Sequence, residues 1–586
     1  MILQALTEYY QRKAADPDSG IAPLGWEWKE LPFLIVLKAD GTLLNIEDTR
    51  EGEGKNRRAR RFLVPQAVKR TVGIASNLLW DNPDYALGFY VPPKGRTKAD
   101  RSAESHAAFL SRIAEVGLTE QSSAVSAVLS FLARDTKIAE LAAFDDLWEE
   151  ISTTGPFISF KLAGDIEPVF RDPVITNAIN AQINATSGEQ ALCIVTGNKD
   201  QFANLHPVIK GIAGANATGA NIVGFNAPAF CSFGKQQGEN APVGQTAAFA
   251  YTTALNSLLS RDSGQRLMVG DTTTVFWSAR QTAFEDAFDA LWSEPPKDNP
   301  DRLTNAVATL FRSVSTGAFV TDNDNTDFYV LGLSPNAARV GIRFWHHGTV
   351  ANMAANIRQY FDDMRIIHPS HMKQDLPLGV LLRSTARKSE NRGDWNKNIN
   401  PNLAGATMRA IIEGLVFPET LFQATVIRIK AERDVSYPRA KIIKACLNRK
   451  LRSQPNLNER RITMSLDKEN TNIGYRLGRL FATLEKIQQE ANPGINATIR
   501  DKFYAAASGT PASVFGTLMR LKNHHLSKLE STGRRIWFEK LLGEVMEAIT
   551  DFPSHLALAD QGRFAIGYYH QNQDFWTKKT DKPQND

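Results

Sequence analysis

The stretch FYVLGLSPNAARVGIRFW, residues 328–345, reads as a strand pair broken by the turn cluster Gly332-Leu333-Ser334-Pro335-Asn336. Before it, apolar residues come in short runs: FISFKL (157–162), ALCIVTG (191–197) and TTTVFW (272–277), with helical stretches between them. Nearer the N-terminus, Leu3, Leu6, Tyr9 and Tyr10 fall at helical spacing. A hairpin is expected in FLIVLKADGTLLNIED, because Asp40-Gly41 is a favoured turn pair. From about residue 400 the rhythm changes to i, i+3, i+4, as in Leu421, Phe422, Thr425, Val426 and Ile429, and again in Leu477, Leu480, Phe481, Leu484 and Ile487.

The fold class expected is therefore α+β, a large mixed N-terminal region followed by a C-terminal α-helical bundle. The mixed region spans 1–385, the polar stretch ARKSENRGDWNKNINPN (386–402) serves as connector, the bundle occupies 403–576, and 577–586 read as a tail. A chain of 586 residues suggests two to four domains. Its 42% apolar and 22% charged residues are ordinary globular usage. The net charge of +5, from 68 basic and 63 acidic residues, means that any basic surface is local.

Cys193, Cys231 and Cys446 are too few and too scattered for a disulfide framework or a CxxC zinc site. A reducing, cytoplasmic setting is expected. The first residues lack a charged segment followed by an apolar one, and no run of about 18 apolar residues occurs to suggest a membrane span.

Several chemistries find no support. GENAPVGQT (238–246) imitates a phosphate-binding loop, but five residues separate its glycines and Gln245 stands where the lysine belongs. No GxGxxG and no HExxH occur. His368 and His371 bracket Pro369 and suit a surface turn, while His524 and His525 sit among Arg520, Lys522 and Lys528 as a basic helix face. No catalytic residue, metal ligand or cofactor is assigned.

The sequence is locally basic and locally glycine-rich. Residues 50–70 hold eight basic side chains against two acids, and residues 427–461 hold eleven against three. Either group could be a solvated helix or loop face. Between them lies TGNKDQFANLHPVIKGIAGANATGANIVGFNAPAFCSFGKQQGENAPVGQT (196–246), with eight glycines and six asparagines. Glycine permits positive φ and close approach, while asparagine both donates and accepts hydrogen bonds. Its apolar residues, including Phe225, Phe230 and Phe233, are expected to fold against a core. Two cationic clusters beside such a segment favour a polynucleotide partner.

The glycine-rich stretch, GLSPNAARVGIRFW, INPNLAGATMRAIIEG, SYPRAKIIKACLNRK and INATIRDKFYAAASGTPASVFGTLMRL (495–521) together resemble the large subunit (Cas8 type, Csd family) of the type I-C CRISPR Cascade complex. The likeness covers nearly the whole chain. It implies a non-catalytic subunit of an RNA-guided antiviral surveillance complex that inspects duplex DNA for the protospacer-adjacent motif, helps open an R-loop and recruits a helicase-nuclease. The partners so implied are crRNA, duplex target DNA and its displaced strand, and the backbone and crRNA-processing Cascade subunits. A small subunit translated from about Met464 is also implied; it would span residues 464–586.

On that reading Asn198, Lys199, Lys235, Gln236 and Gln237, then Asn216 and Asn221, are the motif-reading or wedge candidates. Arg57, Arg58, Arg60, Arg61, Lys69 and Arg70 would track phosphates. Arg439, Lys441, Lys444, Arg449 and Arg452 would meet the displaced strand or the filament. Two other readings stand beside it: a nuclease whose metal ligands converge only in the fold, and a scaffold that contacts proteins alone.

Overall fold

Phe33–Leu37 is buried at all five positions, as expected of a strand covered on both faces. It is the central element of the first of two units. The structure, a computed structural model, describes all residues except 55–56, 69, 71–72, 93–98, 118–120, 185–189, 317–324, 390–394, 396–397, 401, 457–458 and 577–586. Contacts divide the chain into Met1–Ile209 with Asn221–Ser257, and Lys210–Ala220 with Leu258–Asp586.

The strands of the first unit are β1 (Trp26–Glu30), β2 (Phe33–Leu37), β3 (Leu43–Asp48), β4 (Arg50–Glu51), β5 (Arg58–Ala59), β6 (Arg61–Pro65), β7 (Trp80–Asp81), β8 (Ile158–Leu162), β9 (Ala191–Leu192) and β10 (Lys199–Asp200). One sheet has the order β3-β2-β8-β7, with β2 and β8 parallel, while β1 pairs with β6. The hairpin at Asp40-Gly41 forms as expected: Gly41 takes φ +80°, and the Asp40 carboxylate accepts from the Thr42 amide at 2.8 Å. Trp26, Phe33, Trp80, Phe109, Phe131 and Phe160 fill the core. ALCIVTG contributes only the two-residue β9, because the chain then turns, with the Gly197 amide donating to the Cys193 carbonyl at 2.8 Å.

In the second unit β11 (Arg266–Val269), β12 (Thr272–Ser278), β13 (Asp327–Asn336) and β14 (Arg339–Thr349) form an antiparallel meander. The 328–345 stretch is indeed a strand pair, but its turn lies later than expected. Asn336 pairs with Arg339 around Ala337-Ala338, and Ala337 takes φ +51°. Gly332 instead sits inside β13 at a register shift, where the Phe344 ring occupies the space a Cβ would need. Its glycine serves close packing, not a bend.

The expected boundary at 386–402 does not separate sheet from bundle. Ala386 and Ile399 are buried in one core that runs from Leu267 on β11 to Tyr569 on the last helix. Part of that stretch, with the tail 577–586, lies outside the described residues. The helical expectation after residue 400 holds, in helices such as Leu403–Ile412, Glu419–Glu432, Tyr437–Ser453, Ile473–Ala491 and Leu558–Trp576.

Two devices hold this unit. The first is glycine-lined helix packing. Gly474 and Gly478, one turn apart, lie against the Asp560 and Phe564 carbonyls, and Gly567 lies against Tyr475. Helices Ile473–Ala491 and Leu558–Trp576 thereby approach backbone to backbone. The second is a buried ionic knot at the C-terminal end of helix Val350–Met364. Asp363 is fully buried and receives Arg449 Nε at 2.7 Å and both terminal nitrogens of Arg452 at 2.8–2.9 Å. Lys444 Nζ donates to the Asp363 carbonyl at 3.0 Å and Lys441 Nζ to that of Met364 at 2.9 Å. Cations thus satisfy carbonyls left open where the helix ends, and meet the negative end of its dipole. Burial lowers the Lys441 pKa to about 7 and that of Lys444 to about 8.

Two measurements test these devices. Gly478→Ala should lower the denaturant midpoint by the equivalent of about 2–3 kcal/mol. Gly543→Ala, in an exposed helical position with nothing within 4 Å of the added carbon, should raise it by about 0.5–1 kcal/mol. The lysines fix a pH dependence. Free lysine titrates near ~10.4, so between pH 7 and 9 the unfolded chain holds more protons than the native one and stability rises with pH. Urea midpoints should therefore correspond to a gain of about 3–4 kcal/mol from pH 7 to 9, and Lys441→Met should remove more than half of that slope. Above the lysine range the trend should reverse, because burial raises the Tyr437 and Tyr475 hydroxyls above their free value.

Candidate nucleic-acid interface

The arginine-rich segment folds as an arm at the sheet edge, β4 pairing with β5 through Arg50–Ala59 and Glu51–Arg58. One arginine not among the candidates anchors it. Arg50 donates to Asp48 at 2.8 Å and to Glu150 at 2.5–2.9 Å. Its hydrogen bonds are the largest reason the Asp48 carboxyl sits below its usual range, although burial opposes them. Arg57 reaches Asp48 from solvent at 2.5 Å. Arg58, Arg60 and Arg61 are exposed. Arg60 lies 3.6 Å from Glu167 with both side chains half exposed, a pairing worth at most about 1 kcal/mol in water and readily exchanged for a phosphate. Arg70 behaves differently. It pairs with the buried Asp81, donates to the Ala75 carbonyl at 2.6 Å and covers the Tyr85 ring at 3.9 Å. It is therefore a structural residue, and the phosphate-tracking expectation is corrected there. Lys69 lies outside the described residues.

The glycine-rich segment is divided between the units: residues 210–220, with Asn216, belong to the second and the rest to the first. At least two of its glycines serve the chain's own packing. A Cβ at Gly238 would strike the Ala203 carbonyl, and one at Gly244 the Asp200 side chain. Asn198 and Lys199 are exposed at a turn where the Asn198 carbonyl accepts from Cys193 at 2.9 Å. Asn216 is exposed in a turn closed by Gly219, and Asn221 is half-buried.

The longest fully exposed run of the segment is 232–237. Phe233, expected against a core, is 99% exposed. Phe233, Gly234 and Gln237 have φ of +55°, +72° and +42°, left-handed conformations that cost energy for residues other than glycine. The loop is nonetheless braced. The Gln236 amide donates to Glu239 at 2.7 Å, the Ser232 amide to Asn240 at 2.9 Å, and Asn240 in turn donates to the Gln237 carbonyl at 3.0 Å. Lys235, Gln236 and Gln237, which follow Phe233 in the chain, all face solvent. The sequence signal for this lies after the ring, where GKQQGEN (234–240) carries no apolar side chain to pull Phe233 into a core.

The third candidate group is corrected outright. Arg439, Lys441, Lys444 and Arg449 are only 2–3% exposed. Arg439 binds Glu432 at 2.5 Å and the Ser384 carbonyl at 2.9 Å, and Arg449 also donates to the carbonyls of Ala410 and Leu415. Arg452 is half exposed, but its guanidinium is committed to Asp363. These side chains hold the helices together and present no cationic face to a strand.

Among the described residues, no group of three or more His, Cys, Asp or Glu is placed to hold a metal. No described helix is long and apolar enough to cross a membrane.

A family profile described as CRISPR-associated protein (Cas_Csd1) matches residues 6–576. Comparison with curated proteins finds no match.

Proposed function

The chain belongs to the CRISPR-associated Cas_Csd1 family, and from that premise we propose that it is the non-catalytic large subunit of a type I-C RNA-guided surveillance complex. In this role it meets duplex DNA at the protospacer-adjacent motif, helps open it and recruits a helicase-nuclease. Its partners are crRNA, target DNA, the other Cascade subunits and a small subunit begun near Met464. The observation that carries the proposal is the braced loop with Phe233 exposed and Lys235, Gln236 and Gln237 following it in the chain.

The chemistry of that loop suits the task. Guide pairing reads the sequence, so the protein needs only a short groove reader and a means of parting the strands. Glutamine amides supply donors and acceptors to base edges, and lysine supplies attraction to phosphate. An apolar ring inserted at a base step unstacks it and kinks the duplex. Paying the left-handed strain in advance keeps the ring pointed outward at the moment of encounter. The exposed arginines Arg57, Arg58, Arg60 and Arg61 would hold the register along phosphates.

Two experiments on the assembled complex test this reading. Gln236→Ala with Gln237→Ala should weaken binding to duplex bearing the correct motif by about 1–3 kcal/mol, with little effect on a pre-opened target. Both DNAs should be recovered uncut in Mg²⁺ without the nuclease. Equal losses on both substrates would remove the groove-reading role, and cleavage would remove the non-catalytic one. Replacing Arg57, Arg58, Arg60 and Arg61 by Gln should lower affinity for all duplexes and flatten its dependence on log[salt] by about one unit for each phosphate no longer neutralised. An unchanged slope would reassign them to solvated charge.

A further inference from the structure

Next to the arm, the first unit contains a cavity of about 600 Å³ walled by the turn Ala14–Pro23, by β1 and β6, and by Glu167 and Arg171. Its walls do not resemble a packing defect. Trp28 forms one face and remains 42% exposed, with its indole held in place by Nε1–H donation to the Gly20 carbonyl at 2.7 Å. On the paired strand, Arg61 lies diagonally across from it, its guanidinium 5.8 Å from the indole. Arg60 and Arg171 complete a three-arginine rim. Among the described residues neither Arg61 nor Arg171 has an ion-pair partner, and Arg60 has only its loose pairing with Glu167. Asp16 is the other acid on the wall, and it accepts from the Asp18 amide at 3.0 Å.

We propose that this cavity binds one unstacked nucleotide of a single strand, with its base on Trp28 and its flanking phosphates on Arg61 and Arg171. A flat aromatic wall left partly in water is a platform for another flat ring, and base stacking on such side chains tolerates every base. Guanidinium forks bind phosphate oxygens bidentately. The volume lies within the range of small-ligand sites and exceeds what one base alone requires. Glu167 and Asp16 are the acceptors available to base amino groups. An acidic peptide would use the arginines but would leave the indole face without a planar partner. The inference rests on the polynucleotide reading above, and concerns a single strand where the Phe233 loop concerns duplex.

The test uses the full-length chain and fluorescence anisotropy with labelled oligo(dA) and oligo(A) roughly ten nucleotides long, alongside a blunt duplex. Trp28→Ala should weaken single-strand binding about tenfold or more, Trp28→Phe should retain most of it, and duplex binding should stay within about twofold in both. Arg61→Gln should weaken strand binding and reduce its salt dependence. Loss confined to oligo(dA) or to oligo(A) identifies the strand as DNA or RNA, and loss on both means the pocket accepts either. Thermal melting of each variant separates lost binding from lost folding, and Trp28→Phe keeps the question open to decision should Trp28→Ala not fold. The proposal is overturned if Trp28→Ala and Trp28→Phe both bind strands like the parent, if strand and duplex are lost equally, or if polyglutamate displaces the strand from parent and Trp28→Ala alike. Strand binding that depends on Trp28 in a chain indifferent to Gln236 and Gln237 would uphold the pocket and refute the groove reader.

Discussion

A buried carboxylate cannot remain charged without partners, and Asp363 is the carboxylate about which the larger unit is organised. Burial pushes its pKa upward, and the hydrogen bonds and positive charges of Arg452 and Arg449 together more than reverse that. Removing one partner from such a knot costs about 3–5 kcal/mol because the remaining charge has nowhere to go. The geometry spreads that constraint. Arg449 also holds the Ala410 and Leu415 carbonyls, Lys441 holds Gln374 at 2.5 Å, and the Tyr437 hydroxyl donates to Lys373 and Gln374. Helix Tyr437–Ser453 therefore fixes helix Val350–Met364, the end of helix Leu403–Ile412 and the segment between. Sheet and helices could not be separated at 386–402 without tearing this knot.

The same constraint explains which parts of the fold are legible in the sequence. Periodicity locates the helices after residue 400, and the turn pair Asp40-Gly41 locates a hairpin, because both signals act between near neighbours. The burial of Arg449 depends on Asp363, and that carboxylate lies 86 positions away. A row of cations with apolar neighbours looks identical in sequence whether it faces phosphate or an internal carboxylate. Gly332 misleads for a related reason. Its meaning comes from Phe344 across the strand pair, so a residue that favours turns in isolation marks a bulge here. For the glycine-rich segment the inference of close approach holds, but at Gly238 and Gly244 the approaching group belongs to the same chain.

The inward-facing cations limit where electrostatic attraction can arise. Four cations of the 427–461 cluster point inward, where they are matched by acids and carbonyls and contribute little to the field outside. With a net charge of only +5 over the whole sequence, the surface cannot draw a polyanion by bulk charge. Attraction must come from places where cations outnumber acids at short range, since in physiological salt fields decay within ~8 Å. The first unit has such a place in the arm, and it combines charge there with aromatic surface in a cavity of nucleotide size.

The exposed aromatics sharpen that distinction. Water penalises a bare ring, and folding ordinarily removes one that no partner requires. Phe233 is kept outside by left-handed backbone and a braced turn, and Trp28 by a hydrogen bond from its indole to Gly20. In both cases local bonding opposes burial, and in both a cation with no ion-pair partner among the described residues lies near the ring in the sequence or on the paired strand. Cation and ring together have the chemistry that the proposed nucleotide partner requires, one for a charged backbone and one for a flat base. A scaffold that contacted only acidic proteins would need the first and gain nothing from holding the second in water.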